Sequence, residues 1–241
     1  MTSNGRILVA LLPPLLALGA CGLPQDNARD AGGTLDAANC SMLPGWTRID
    51  RVDAGGSTVA HVGGGALTMT ADYLPWNYQV DLVAPTGTVE ITQGGQATGD
   101  FEATATFDSF RGTAPGGAAG LVISTPGSGD AYAFIRQTDT PQLEVMVAGM
   151  GTAMVPASEV GGTLRVARHA GMMTATATAG TSTVELVGAF PAGNLTMAAK
   201  LGIYNRSETD NPGETSIRFT DFAITGSTDL LSDAFDCDSV P

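Results

Sequence analysis

The feature that most constrains this chain is a two-residue alternation of apolar and polar side chains, repeated in short segments. In Phe101-Glu102-Ala103-Thr104-Ala105-Thr106-Phe107 the aromatic and alanine positions share one face, and Glu102, Thr104 and Thr106 share the other. Leu195, Met197, Ala199, Leu201 and Ile203 repeat the pattern, as do Leu143, Val145 and Val147, and Leu164 with Val166. Met172 to Ala179 and Thr181 to Val187 read as the two arms of a hairpin about Gly180. A period of two is the signature of a pleated strand, and no segment carries the 3.6 period of an amphipathic helix. Gly, Pro, Asn and Asp separate the segments, as turns between strands require. So many strands in one stretch of about 200 residues bury their apolar faces only on one another. The expectation is all-β: a two-sheet antiparallel β-sandwich, with a closed barrel as the structural alternative.

The chain before this region is different in kind. Arg6 is the only charge ahead of an apolar run from Ile7 to Leu18. A membrane-spanning helix needs about 20 apolar residues, and Pro13-Pro14 breaks this shorter run further, so it reads as an export signal. Leu18-Gly19-Ala20-Cys21 resembles the bacterial lipobox, an aliphatic residue and two small ones before a cysteine. The resemblance implies cleavage before Cys21 and a lipidated cysteine as the new N-terminus, which would hold the chain on a membrane. Each buried methylene is worth about 0.8 kcal/mol, so several acyl chains make a lasting anchor. Gly22, rather than Asp, follows the cysteine, which points to the outer membrane, facing the periplasm or the cell surface. The expected organisation is a signal over residues 1–20, a lipidated tether over 21–38 and the sandwich over 39–241. The tether is rich in Gly, Ala, Asp and Asn and has no periodicity.

Charge and cysteine content follow from that address. The formal net charge is −13, and loss of Arg6 with the signal makes it −14. An acidic surface with no basic patch keeps a protein soluble and argues against a nucleic-acid partner. Of three cysteines, Cys21 is taken by lipid. Cys40 and Cys237 then remain as one pair in an oxidising compartment, either as a disulfide or as two buried thiols. A bridge would close a loop of nearly 200 residues and contribute about 5 kcal/mol by restricting the unfolded chain.

The order of the segments is similar to that of the concanavalin A-like lectin/glucanase superfamily, in its laminin-G-like, jelly-roll form. Gly45-Trp46-Thr47 and Gly65-Ala66-Leu67-Thr68-Met69 resemble its opening strands. Gly99-Asp100-Phe101-Glu102-Ala103-Thr104-Ala105 resembles its long strand, and Ala118-Ala119-Gly120-Leu121-Val122-Ile123 the next. Ala131-Tyr132-Ala133-Phe134-Ile135-Arg136, Gly162-Thr163-Leu164-Arg165-Val166, Lys200-Leu201-Gly202-Ile203-Tyr204 and Phe219-Thr220-Asp221-Phe222-Ala223-Ile224 follow in order. The resemblance spans roughly Pro44 to Thr225 and implies neighbouring first and last strands, which would bring Cys40 and Cys237 together. The superfamily holds lectins, glycosidases and structural domains, so the fold does not choose among them.

Glucanases of this superfamily carry Glu-x-Asp-x-Glu on one strand, where alternation aims all three carboxylates at one cleft. Here the nearest string is Glu208-Thr209-Asp210-Asn211-Pro212-Gly213-Glu214, whose spacing is wrong and whose Pro-Gly makes a loop. His61 and His169 stand far apart in sequence and form no zinc-type spacing, and no phosphate-binding glycine loop is present. Each histidine reads as solvated or hydrogen-bonded. A polar binding face is easier to assemble. Glu102, Tyr132, Arg136 and Glu144 are candidates to hold a sugar on one sheet, with Trp76 and Tyr78 in Asp72-Tyr73-Leu74-Pro75-Trp76-Asn77-Tyr78 as a stacking platform. The resemblance also raises calcium, for which Asp221 and the loop from Asn205 to Glu214 offer oxygens. The resulting expectation is a tethered module that binds glycan or another surface polymer without catalysis. The alternatives are a divergent glycoside hydrolase and a structural or adhesive lipoprotein with no small ligand.

Overall fold

The computed structural model describes residues 39–40, 47–50, 58–74, 79–83, 89–90, 100–113, 115–125, 129–189, 196–226 and 232–233. The export signal, lipobox and tether, with Cys21, Trp76, Tyr78 and Cys237, lie outside those residues. Among the described residues seventeen strands follow one another: β1 (Asn39–Cys40), β2 (Thr47–Asp50), β3 (Thr58–Gly63), β4 (Leu67–Ala71), β5 (Gln79–Val83), β6 (Val89–Glu90), β7 (Phe101–Gly112), β8 (Gly117–Thr125) and β9 (Gly129–Gln137) come first. Then come β10 (Pro141–Val147), β11 (Gly151–Pro156), β12 (Gly162–His169), β13 (Met172–Ala179), β14 (Ser182–Ala189), β15 (Thr196–Asn205), β16 (Thr215–Thr225) and β17 (Ser232–Asp233). No helix occurs among the described residues.

The strands form two antiparallel sheets. One is nine-stranded, in the order β1-β3-β4-β16-β7-β12-β13-β14, with β17 also on β16. The other is eight-stranded, in the order β11-β10-β9-β8-β15-β5-β2, with β6 also on β15. Late strands sit in the middle of each sheet: β16 between β4 and β7, and β15 between β5 and β8. That return of the chain into sheets begun earlier is the jelly-roll pattern. Each path is open at both ends, so the fold is the expected sandwich and not the alternative barrel. Both β1 and β17, the first and last described strands, belong to the nine-stranded sheet.

The core lies between the sheets and follows the alternation. Phe101, Ala103, Ala105 and Phe107 are buried on β7, with Leu164 and Val166 on β12. From the other sheet come Leu121, Ile135, Leu143, Val145, Val147, Leu201 and Ile203. The simple period breaks once. On β16, Phe219 and Phe222 are both buried although three positions apart, and on β7 so are Phe107 and Phe110. Register shifts between Arg218 and Phe219, and between Phe219 and Asp221, add one residue to each strand. The bulged pair resets the phase so that all four rings reach the core.

The hairpin from β12 to β13 turns through Ala170, at φ 50°, and Gly171, at φ 79°. Ala170 is in the left-handed region that alanine disfavours. Its N–H donates to Asp100 Oδ1 at 2.9 Å, and His169 Nδ1 lies 2.8 Å from Asp100 Oδ2. His169 is thus a hydrogen-bonded surface histidine, as the sequence suggested.

Candidate functional site

The eight-stranded sheet has a second face, turned away from the core. A separate apolar cluster lies there: Ala118, Val122, Tyr132, Phe134 and Tyr204, with Met146 packed against it. Register explains the grouping. Phe134 pairs with Gly120 on β8, and Gly120 pairs with Gly202 on β15. A Cβ on Gly120 would stand 2.7 Å from Phe134 Cδ1 and 2.3 Å from the Ala133 carbonyl oxygen. Glycine there lets the Phe134 ring lie close against the sheet. The ring stacks on Tyr132 at 4.2 Å and on Tyr204 at 4.8 Å.

Charged groups converge beside this stack. Glu144 on β10 pairs with Phe134, so it stands diagonal to both Tyr132 and Arg136 on β9. Long side chains close that diagonal. The Tyr132 hydroxyl donates to Glu144 Oε1 at 2.7 Å, and Arg136 Nη1 donates to Oε2 at 3.1 Å. Arg206, just past β15, donates from Nη2 to Glu144 Oε1 at 3.0 Å and to Tyr132 Oη at 2.7 Å. Its guanidinium also lies 5.1 Å from the Tyr132 ring centre, a cation–π distance. Glu144 is only 1 % exposed, whereas the Arg206 side chain is 38 % exposed. Burial, then the charge of Glu144 and its hydrogen bond, pushes the Tyr132 hydroxyl up to about 12.

The loop that delivers Arg206 is tied down at several points. The Arg206 N–H donates to the Gly116 carbonyl at 2.7 Å, and Arg136 Nη2 donates to the Arg206 carbonyl at 2.9 Å. Asn205 Nδ2 donates to the Leu74 and Thr209 carbonyls at 2.8 and 2.9 Å. Its Oδ1 accepts from the N–H and hydroxyl of Ser207, both at 2.9 Å. Asn205 and Ser207, read from sequence as part of a calcium loop, thus serve to brace the backbone. Asp221 is exposed on β16 of the other sheet. Among the described residues no group of three or more His, Cys, Asp or Glu side chains is placed to hold a metal ion.

The structure therefore joins Tyr132, Arg136 and Glu144, three of the residues expected to share a site. It does not join Glu102 to them. Glu102 belongs to β7 of the nine-stranded sheet and pairs with Arg165 Nη2 at 2.7 Å on that sheet's outer face. Alternation fixes which side of a strand a residue faces, but not which sheet the strand enters. Hydrogen bonding to Arg165 holds the Glu102 carboxyl below its usual range. The pair is part-exposed and worth about 0–1 kcal/mol.

Arg206 was missed from sequence because it sits in a loop rich in polar residues. Its parity was the available signal: it lies two positions beyond Tyr204, on the face that also carries Tyr132 and Arg136.

No family model matches the chain, and no curated protein matches it. Solved structures do resemble it. A protein of unknown function from Saccharomyces cerevisiae is 11 % identical, with TM-score 0.50, over 76 % of this chain and 97 % of that one. A marine PL7 alginate lyase from Zobellia galactanivorans is 10 % identical, with TM-score 0.48, over 69 % and 79 %. Lectin II from Ulex europaeus is 8 % identical, with TM-score 0.46, over 78 % and 96 %. At such identities the likeness speaks to fold alone.

Proposed function

We propose that the chain is an exported lipoprotein, held on the outer membrane by lipid on Cys21, whose sandwich binds glycan without catalysis. The site is the outer face of the eight-stranded sheet, around Tyr132, Arg136, Glu144 and Arg206. One observation carries this reading. The cluster places two guanidiniums, a carboxylate and a tyrosine together on the side of the sheet away from the core, with Arg206 open to solvent. Such an arrangement supplies directed hydrogen bonds beside apolar rings, which is what recognition of a sugar requires.

The same geometry favours binding over hydrolysis. Glycoside cleavage needs an acid paired with a base or nucleophile, about 5–9.5 Å apart. Both oxygens of Glu144 already accept hydrogen bonds, and Tyr132, raised to about 12, keeps its proton at neutral pH. Glu102, the other acid expected on the sugar-holding face, is on the other sheet. A glycan array probed with the purified protein tests the proposal, alongside release of reducing ends from a polysaccharide panel. Binding without turnover is expected. Turnover lost in Glu144→Gln would favour the hydrolase instead, and no binding at all would favour a structural or adhesive role.

A further inference from the structure

The charged groups left within a ligand's reach at this site are donors, and on that basis we propose that the ligand is an anionic glycan whose carboxylate or sulfate is held by Arg206. The inference rests on the glycan-binding reading and adds the charge of the ligand.

The acceptors of the cluster are engaged, and those of Glu144, 1 % exposed, are out of a ligand's reach. Glu144 Oε1 takes the Tyr132 hydroxyl and Arg206 Nη2, and Oε2 takes Arg136 Nη1. The Arg206 carbonyl takes Arg136 Nη2, and the Tyr132 oxygen takes Arg206 Nη2. The donors are not spent. A guanidinium has five N–H groups, and those on Nε and Nη1 of the part-exposed Arg206 make no hydrogen bond to the described residues. Arg136 Nε is buried with no hydrogen-bond partner. The Thr152 hydroxyl beside Tyr132 both donates and accepts, but the charged groups within reach are donors, so a neutral sugar hydroxyl, which donates as well as accepts, leaves part of its capacity unused there. A carboxylate or sulfate only accepts, and it matches such a surface.

The charge balance points the same way. The cluster holds two arginines against one glutamate, locally positive in a chain of net charge −13. Among the described residues of this sheet's strands, Asp130 is an acid on the same face, two positions back along β9 from Tyr132. At physiological salt, charges in water are screened beyond about 8 Å, so the acidity of the rest of the chain is largely hidden from a ligand in contact with Arg206. The pose of Arg206 is set in advance by the Tyr132 ring and Glu144, which lowers the cost of fixing it on binding.

The test measures binding of the purified protein to polygalacturonate, to its carboxyl-reduced counterpart and to dextran sulfate. We expect one or both polyanions to bind at least tenfold more tightly than the carboxyl-reduced polymer. Arg206→Gln should remove at least tenfold of that affinity, and Arg206→Lys, which keeps the charge but not the planar donors, should fall between. Carboxylate and sulfate ligands are told apart by which polyanion binds. If the carboxyl-reduced polymer binds as well as either polyanion, the charge inference falls while glycan binding stands. If nothing binds, and the wider glycan array is also blank, both fall. Polyanion binding that Arg206→Gln leaves untouched also overturns the inference. Should that variant melt well below wild type, the comparison of polymers on the wild-type protein decides alone.

Discussion

Glu144→Ala is the perturbation whose cost the structure specifies most fully. Glu144 is 1 % exposed and receives three hydrogen bonds, from Tyr132 and two arginines. Each hydrogen bond to a charged group is worth about 1.5–3 kcal/mol. They are not lost equally. Arg206 is part-exposed and regains water, so its share falls to the surface-pair range of about 0–1 kcal/mol. Arg136 is 21 % exposed with its Nε already unpartnered, and the Tyr132 hydroxyl is buried, so these two are left stranded. The total is about 3–5 kcal/mol, the usual cost of breaking a buried pair from one side. At about 2–4 °C per kcal/mol for a domain of this size, the melting temperature should drop by about 10 °C. Thermal and urea unfolding read it directly. The double change Arg136→Met with Glu144→Leu removes both charges together and should cost far less than the two single changes added. A loss below about 1 kcal/mol for Glu144→Ala would refute the picture of a buried carboxylate hub.

Other expectations follow from single contacts. Gly120→Ala puts a Cβ 2.3 Å from the Ala133 oxygen and 2.7 Å from the Phe134 ring, so it should destabilise by about 1–3 kcal/mol and loosen the aromatic stack, seen in unfolding and near-UV dichroism. Tyr132, raised from 10.0 to about 12, keeps its proton in the folded state where the unfolded chain has lost it. Its contribution is therefore complete below pH 10 and is lost between pH 10 and 12, about 2–3 kcal/mol by linkage. Stability measured across that window should decline more in wild type than in Tyr132→Phe. Cys21→Ala should release the protein from membranes on cell fractionation, and retention there would mean a different anchor. Mass spectrometry of unreduced protein should find Cys40 joined to Cys237, and two free thiols would defeat that expectation.

The fold was legible because burial between two sheets imposes a period of two on every central strand. Phe101 to Phe107, Leu143 to Val147 and Ala199 to Ile203 each declare their inner face. The bulges were not legible, because Phe107 with Phe110 and Phe219 with Phe222 look out of phase until β7 and β16 are paired. The site was half legible for a related reason. Tyr132 and Arg136 share parity on one strand, and Glu144 falls on the matching face of the next, so neighbouring strands give local information. Glu102 has the same chemistry and the same outward parity, but strand order sends it to the other sheet. Arg206 lies one residue beyond β15, so only its parity with Tyr204, carried past the end of the strand, marks the face it takes.

The most direct test of a glycan site on the eight-stranded sheet compares one charge change on each sheet. Wild type, Arg206→Gln and Arg165→Gln are titrated with the tightest ligand found on the glycan array. If the eight-stranded sheet holds the site, Arg206→Gln loses at least tenfold in affinity, about 1.4 kcal/mol, while Arg165→Gln on the nine-stranded sheet binds as wild type does. Equal affinities for all three proteins, or a loss confined to Arg165→Gln, would contradict it.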